Sequence, residues 1–179
     1  NPMKVLHGYG EAGAVTTDNE RVYKRLIKLR HAGTRRDSTG RHINRCDFVS
    51  LNHKIDTIQA AFLLENLQRL ESIWQQRERI ARKYDSLLHR VVGLQQLHAN
   101  ETHGRYLYLI RCQERDALRK TLERNGVETK IVYSPLACDA TPYKSRQRLP
   151  MPVSRRLLRQ GLSIPLHEKM SLSQAEFVA

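Results

Sequence analysis

The longest regular pattern in the chain lies between Ile55 and Val91. There Ile55, Ile58, Phe62, Leu67, Leu70, Ile73 or Trp74, Ile80, Tyr84, Leu87 and Val91 recur mostly at steps of three and four. That spacing lines apolar side chains along one stripe of a helix. It predicts a long amphipathic helix over residues 51–92, interrupted once at most and stopped before Gly93. Ahead of it, Gly13-Ala14-Val15-Thr16-Thr17 has the small, β-branched content of a buried strand. Thr17 or Asp18 can then cap a helix that carries Val22, Leu26 and Leu29 as far as Gly33. The stretch from Thr34 to Leu51 follows neither period and reads as a loop.

Behind the long helix the periods alternate. Arg105–Arg111 is aromatic and aliphatic like a strand, and Asp116 caps a short helix with Leu118 and Leu122 on one face, ended by Asn125-Gly126. Val127–Tyr133 reads as a second strand closed by Pro135, Ser154–Gln160 as a helix, and Leu162–Pro165 as a last short strand. This order predicts an α/β class chain, with a small α/β domain hung on the long helix.

Composition narrows the function classes. Within 179 residues, 40% are hydrophobic and 27% charged, enough apolar content for a packed core and too much for a disordered chain. No apolar run approaches the roughly 20 residues of a membrane span, so a cytoplasmic protein without membrane contact is expected. Cys46, Cys112 and Cys138 are odd in number and widely separated, and the eight histidines are scattered. Neither a disulfide framework nor a metal site follows from such spacing. The net charge of +13 concentrates between Arg21 and Lys54. No helix-turn-helix, zinc-finger or RNP-like aromatic pattern accompanies it, so a nucleic-acid partner is not expected. A basic loop containing Arg35 and Arg36 suits a small phosphorylated ligand as well as it suits solvent.

Two features near the amino terminus carry candidate chemistry. Gly8-Tyr9-Gly10-Glu11-Ala12-Gly13 satisfies the dinucleotide fingerprint G-x-G-x-x-G, which works only between a strand and a helix N-terminus. That context is missing here, and a Rossmann assignment is rejected. Lys4 lies on the same glycine-rich segment; a lysine becomes a nucleophile toward carbonyls where desolvation lowers its pKa, and glycines admit a planar cofactor, but by spacing alone Lys4 reads equally as an ordinary surface lysine.

The segment Asn1-Pro2-Met3-Lys4 through Thr17-Asp18-Asn19-Glu20 resembles the Schiff-base region of the DegT/DnrJ/StrS family of pyridoxal-phosphate-dependent sugar aminotransferases. Asn52-His53-Lys54-Ile55-Asp56-Thr57-Ile58-Gln59-Ala60-Ala61 is similar to the family's signature at the head of its long helix. Arg115-Asp116-Ala117-Leu118, Asn125-Gly126-Val127-Glu128-Thr129, Tyr133-Ser134-Pro135-Leu136 and Leu162-Ser163-Ile164-Pro165-Leu166-His167 follow in the family's carboxy-terminal order. The chain departs from the family at Ala12, where a glycine is usual, and at Lys54, where an arginine is usual. Val132 and Ala137 stand where histidines normally face the substrate.

The resemblance implies the carboxy-terminal part of a fold-type I pyridoxal-phosphate aminotransferase. On that basis residues 1–50 are the tail of the large cofactor domain with a basic loop, 51–92 the connecting helix and 93–179 the small α/β domain. It implies pyridoxal 5'-phosphate held by Lys4 and amino transfer from an amino acid, typically glutamate, to a nucleotide-linked keto sugar. In a homodimer, Asn52 would reach the cofactor phosphate of the partner subunit; its alternative role is to cap the long helix. Arg35, Arg36 and Tyr133 are the candidate substrate contacts. The family's amino-terminal half is not in this sequence, so the expectation is an aminotransferase fragment. The alternative is an inactive remnant that serves as a dimerising or sugar-related binding module.

Overall fold

A computed structural model describes residues 1–143 and 150–179. The chain divides into two compact units, Asn1–Gln68 and Arg69–Ala179. No helix among the described residues is long and apolar enough to cross a membrane.

In the first unit, residues 1–18 form no regular element, and the strand expected at Gly13–Thr17 is absent. A strand needs a neighbour to pair its N–H and C=O groups, and this stretch has none among the described residues. Helix α1 (Glu20–Arg30) follows, with Asn19 as its cap: Asn19 Oδ1 accepts the Val22 N–H at 3.1 Å. Thr17, one of the two expected caps, instead accepts the Asn19 N–H through Oγ1 at 3.1 Å.

The segment expected to be a loop contains an antiparallel hairpin, β1 (Thr34–Arg36) and β2 (His42–Cys46). Its turn is built on Asp37, whose Oδ1 accepts the N–H groups of Thr39 (2.9 Å) and Arg41 (3.0 Å) and the Thr39 hydroxyl (2.6 Å). These bonds, the Thr39 hydroxyl first, hold the Asp37 carboxyl below its ordinary pKa. Gly33 opens the hairpin with φ of +71°, and a side chain there would collide with the Phe48 carbonyl oxygen. Helix α2 (Thr57–Leu88) then runs 32 residues without interruption, across the division between the units.

The second unit is organised by a three-stranded antiparallel sheet in the order β3 (Gly93–Leu94), β4 (Tyr108–Arg111), β5 (Gly161–Ile164). Tyr108 pairs with Ile164 and Arg111 with Gly161. β4 alternates buried and exposed residues, as a half-covered strand should, whereas all four residues of β5 are buried. Ile80, Ala81, Tyr84 and Leu88 of α2 pack with Tyr108, Ile110, Leu162 and Ile164 in one core. Of the apolar stripe read from the sequence, Ile73, Ile80 and Tyr84 are buried in this half of the helix, whereas Leu87 is exposed and Leu88 packs in its stead. Tyr84 donates its hydroxyl to the Pro165 carbonyl at 2.9 Å and Tyr108 to Asp85 Oδ1 at 2.6 Å. Burial keeps both phenols protonated far above their usual range.

Helix α3 (Arg115–Arg124) packs Leu118 and Leu122 against this core, and α4 (Pro152–Gln160) leads directly into β5. The strand expected at Val127–Tyr133 is reduced to one bridge, in which Lys130 and Ser163 exchange both backbone bonds at 3.0 and 2.8 Å. The edge of β5 away from β4 carries this bridge at Ser163 and is followed by Pro165, which has no N–H to offer. The chain ends in α5 (Leu172–Val178), which the hydrophobic pattern did not reveal. Its start is a capping box between Ser171 and Gln174.

Arg77 ties the unit together from α2. Its guanidinium donates to the carbonyls of Arg105 (3.1 Å), Tyr106 (3.3 Å) and Leu166 (3.2 Å) and pairs with Glu168 at 3.0 Å. Arg77→Met keeps much of the bulk and strands these acceptors. It should destabilise the chain by about 3 kcal/mol, read as a lowered urea midpoint at unchanged m.

Candidate functional site

Lys4 sits on a turn pinned at both ends. Its N–H donates to the Asn1 carbonyl at 3.1 Å, and its carbonyl accepts from His7 Nδ1 at 3.1 Å. Asn1 closes the same turn by accepting the Met3 N–H on Oδ1 (3.0 Å) and by donating Nδ2 to Glu11 Oε1 (2.9 Å). The turn is fixed to the first half of α2 where Asn66 Nδ2 donates to the His7 carbonyl at 2.7 Å and the rings of Tyr9 and Phe62 lie 4.4 Å apart. The backbone of Lys4 is therefore held while its side chain is exposed.

The glycines of the rejected fingerprint serve close packing. A Cβ on Gly8 would come 2.8 Å from Gln59 Oε1, and one on Gly10 would come 3.3 Å from Gln59 Nε2. Gln59 Oε1 is buried without a hydrogen-bond partner among the described residues. Beside this contact lies an apolar cavity of about 450 Å³, lined by Leu6, Ala12, Gly13, Ala14, Ile55 and Leu63 among others.

Asn52 is exposed and lies ahead of Thr57, where α2 begins, so it does not cap the helix. It bridges His31 across antiparallel backbone, and its Oδ1 accepts the Lys54 N–H at 3.4 Å. Arg35 and Arg36 are adjacent on β1 and differ in their partners. Arg35 pairs with Asp47, which also takes Lys28 at 2.5 Å. The Lys28 bond first, then Arg35, lowers the Asp47 pKa. Arg36 donates to the Gly40 carbonyl at 2.9 Å. Tyr133 belongs to the second unit and is exposed.

The hairpin also brings together residues that the sequence did not single out. The rings of His31 and His42 stack with centroids 3.6 Å apart and planes at 25°. Desolvation, then His42, then the charges of Lys54, Arg36 and Arg30, lower the pKa of His31; desolvation, then Arg36, Lys54 and Arg30, lower that of His42. No spacing rule brings these two histidines together, since their meeting depends on how the hairpin folds back.

The profile of the DegT/DnrJ/EryC1/StrS aminotransferase family matches residues 1–179. The chain belongs to this family. In the DegT/DnrJ/EryC1/StrS family, the UDP-2-acetamido-2-deoxy-3-oxo-D-glucuronate aminotransferase of Pseudomonas aeruginosa is 26% identical over 99% of this chain and 48% of its own. The dTDP-3-amino-3,4,6-trideoxy-alpha-D-glucose transaminase of Streptomyces venezuelae is 28% identical over 97% of this chain and 45% of its own.

Among solved structures, a family aminotransferase from Brucella abortus superposes with a TM-score of 0.88 at 32% identity, covering 99% of this chain and 47% of the other. S. venezuelae DesV in complex with a ketimine intermediate gives 0.90 at 28%, with coverage of 99% and 47%. The chain spans about half the length of the curated relatives it matches. The expected fold class holds: an α/β chain forming the carboxy-terminal part of a pyridoxal-phosphate aminotransferase fold around a long helix.

Proposed function

We propose that this chain carries the lysine-bearing part of a pyridoxal-phosphate-dependent aminotransferase, which moves an amino group from an amino acid, glutamate, to a nucleotide-linked keto sugar. The observation that carries the reading is Lys4: an exposed primary amine whose backbone is fixed at N–H and carbonyl, in a family member matched over all 179 residues. The chemistry of the available groups fits the cofactor. Lys4 offers the amine that an aldehyde requires, and Asn52 offers an exposed amide to a phosphate.

Pyridoxal phosphate, when bound, supplies the electron sink for amino transfer. The chain's own part is placement and proton movement. Lys4 Nζ would hold the cofactor's aldehyde carbon and, as a free amine, would carry the proton taken from the donor's α-carbon. Asn52 would hold the cofactor phosphate of the partner subunit through its amide N–H in a homodimer. Arg36 is the proposed substrate contact of the first unit, with Arg35 in a lesser role because Asp47 engages it, and Tyr133 is the proposed contact of the second. In this reading residues 1–50 end the large domain, 51–92 connect, and 93–179 form the small domain of a cytoplasmic enzyme. The comparisons favour this over an inactive remnant, because relatives matched along nearly the whole chain carry transaminase names.

The test is to incubate the chain with pyridoxal phosphate, reduce with borohydride and map the adduct by peptide mass. Selective labelling of Lys4 among the nine lysines is expected. Labelling spread evenly over them would refute the reading.

A further inference from the structure

The hairpin carries an arrangement that the proposed lysine chemistry does not use. His31 at the end of α1 and His42 at the start of β2 stack at 3.6 Å, and Thr34 is set between their backbones and rings. The Thr34 hydroxyl has one proton and gives it to the His31 carbonyl at 2.7 Å. It therefore accepts from His42 Nδ1 at 3.1 Å, which leaves Nε2 of His42 as the nitrogen that takes a further proton.

The charged groups acting on this pair come from three elements: Arg30 from α1, Arg36 from β1 and Lys54 from the segment before α2. All three are cations. The nearby carboxylates are committed elsewhere, Asp37 to its own turn and Asp47 to Lys28 and Arg35. Arg30, Arg36 and Lys54 make no ion pair among the described residues, and all three are exposed, as are His42 and Asn52. Like charges gathered without a counter-ion leave a positive potential that an incoming anion relieves.

We propose that the stacked His31–His42 pair, with Arg30, Arg36 and Lys54 around it, is a binding site for a phosphate-bearing ligand whose affinity rises as the pH falls. Without an anion beside them the stacked imidazoles favour the neutral form, because desolvation by the stacked rings and then the neighbouring cations oppose a proton on either one. A phosphate dianion reverses that balance. It makes charge-assisted bonds to the guanidinium and ammonium groups and favours a proton on Nε2 of His42, so binding takes up a proton. The sign follows: a ligand that raises an imidazole pKa binds more tightly below that pKa. In the enzyme this assignment rests on the proposed function, which supplies two sources of the shared chemistry, the diphosphate of a nucleotide-linked sugar and the phosphate monoester of the cofactor.

The experiment titrates the 179-residue chain with P1,P2-dimethyl diphosphate, whose charge is constant across the range, and in a second arm with methyl phosphate. Binding is followed by calorimetry between about pH 8 and about pH 5.5, with the ring resonances of His31 and His42 followed by NMR. The expected result is roughly tenfold tighter binding at the acid end, equivalent to a rise of about one unit in one imidazole pKa. His42→Gln should flatten that dependence, and Lys54→Gln should weaken binding at every pH. Lys120→Gln on α3 controls for net charge and should change nothing. Preference for the diphosphate points to the sugar nucleotide, and preference for the monoester to the cofactor.

Affinity that is flat with pH in the unmodified chain, or histidine resonances unmoved at saturation, would overturn the proposal even if His42→Gln failed to fold. Because neither probe reacts with an amine, the outcome is independent of Lys4. A failed titration with selective Lys4 labelling refutes only this site, and the converse refutes only the lysine assignment.

Discussion

Lys4→Ala should reduce borohydride-stable pyridoxyl incorporation from about one equivalent per chain to background. In an assay of amino transfer the same change should cost on the order of 10³-fold or more in rate. The chain has nine lysines, so the result depends on placement and not on the supply of amines. Lys24, Lys28 and Lys83 are already in ion pairs with Glu20, Asp47 and Glu176. Lys4 differs in its backbone: both its N–H and its carbonyl are engaged within one turn, and that turn is fixed to α2 through His7 and Asn66. Holding the Cα limits where Nζ can go, which is how a scaffold makes one amine react ahead of its competitors. Lys4→Arg should not rescue, because a guanidinium stays protonated and has no lone pair for a carbonyl. Incorporation that survives in Lys4→Ala would transfer the role to another lysine.

Leu162→Ala should destabilise the second unit by about 3 kcal/mol. Leu162 is fully buried in β5, in a core formed with Ile80 and Tyr84 of α2 and Ile110 of β4. Its loss removes transfer energy and leaves a void, because strands held by their backbone pairing and a helix held by Arg77 cannot close over it. Against a typical domain stability of about 5–15 kcal/mol, that is a large fraction of the total. Chemical denaturation should show a lower midpoint at unchanged m. Phe177→Ala in α5 is the control: its ring is 69% exposed, and the change should stay within about 0.5 kcal/mol. A Leu162→Ala midpoint indistinguishable from that control would mean that β5 is not part of the core.

Local pattern alone determined the elements whose stability is local. The recurrence through Ile73, Ile80 and Tyr84 is a statement about one helix, and α2 forms as one uninterrupted helix, although Leu88 and not the expected Leu87 is the buried residue at its end. Asn125-Gly126 stops α3 by backbone chemistry, and Leu162–Ile164 is apolar enough to be buried wherever a sheet receives it. Lys4 was singled out because its motif is contiguous and ordered with others along the chain, while the turn that holds its backbone appears only in the structure. Tertiary structure decided everything that depends on a partner distant in sequence. Gly13–Thr17 has strand-forming residues and no strand to join, while Thr34–Arg36, cationic and unpromising, pairs because Asp37 turns the chain back onto His42–Cys46.

Asn52 is a good capping residue in the wrong place, since α2 starts at Thr57. Arg35 and Arg36 look equivalent as neighbours, and only the fold gives the first to Asp47 and the second to the turn. The stack of His31 on His42 has no local signal at all. The physical reason is common to these cases. Hydrophobic period and capping report the free energy of one segment against water, whereas pairing, ion partners and ring stacking are set by which other segment the collapsed chain brings within a few ångströms.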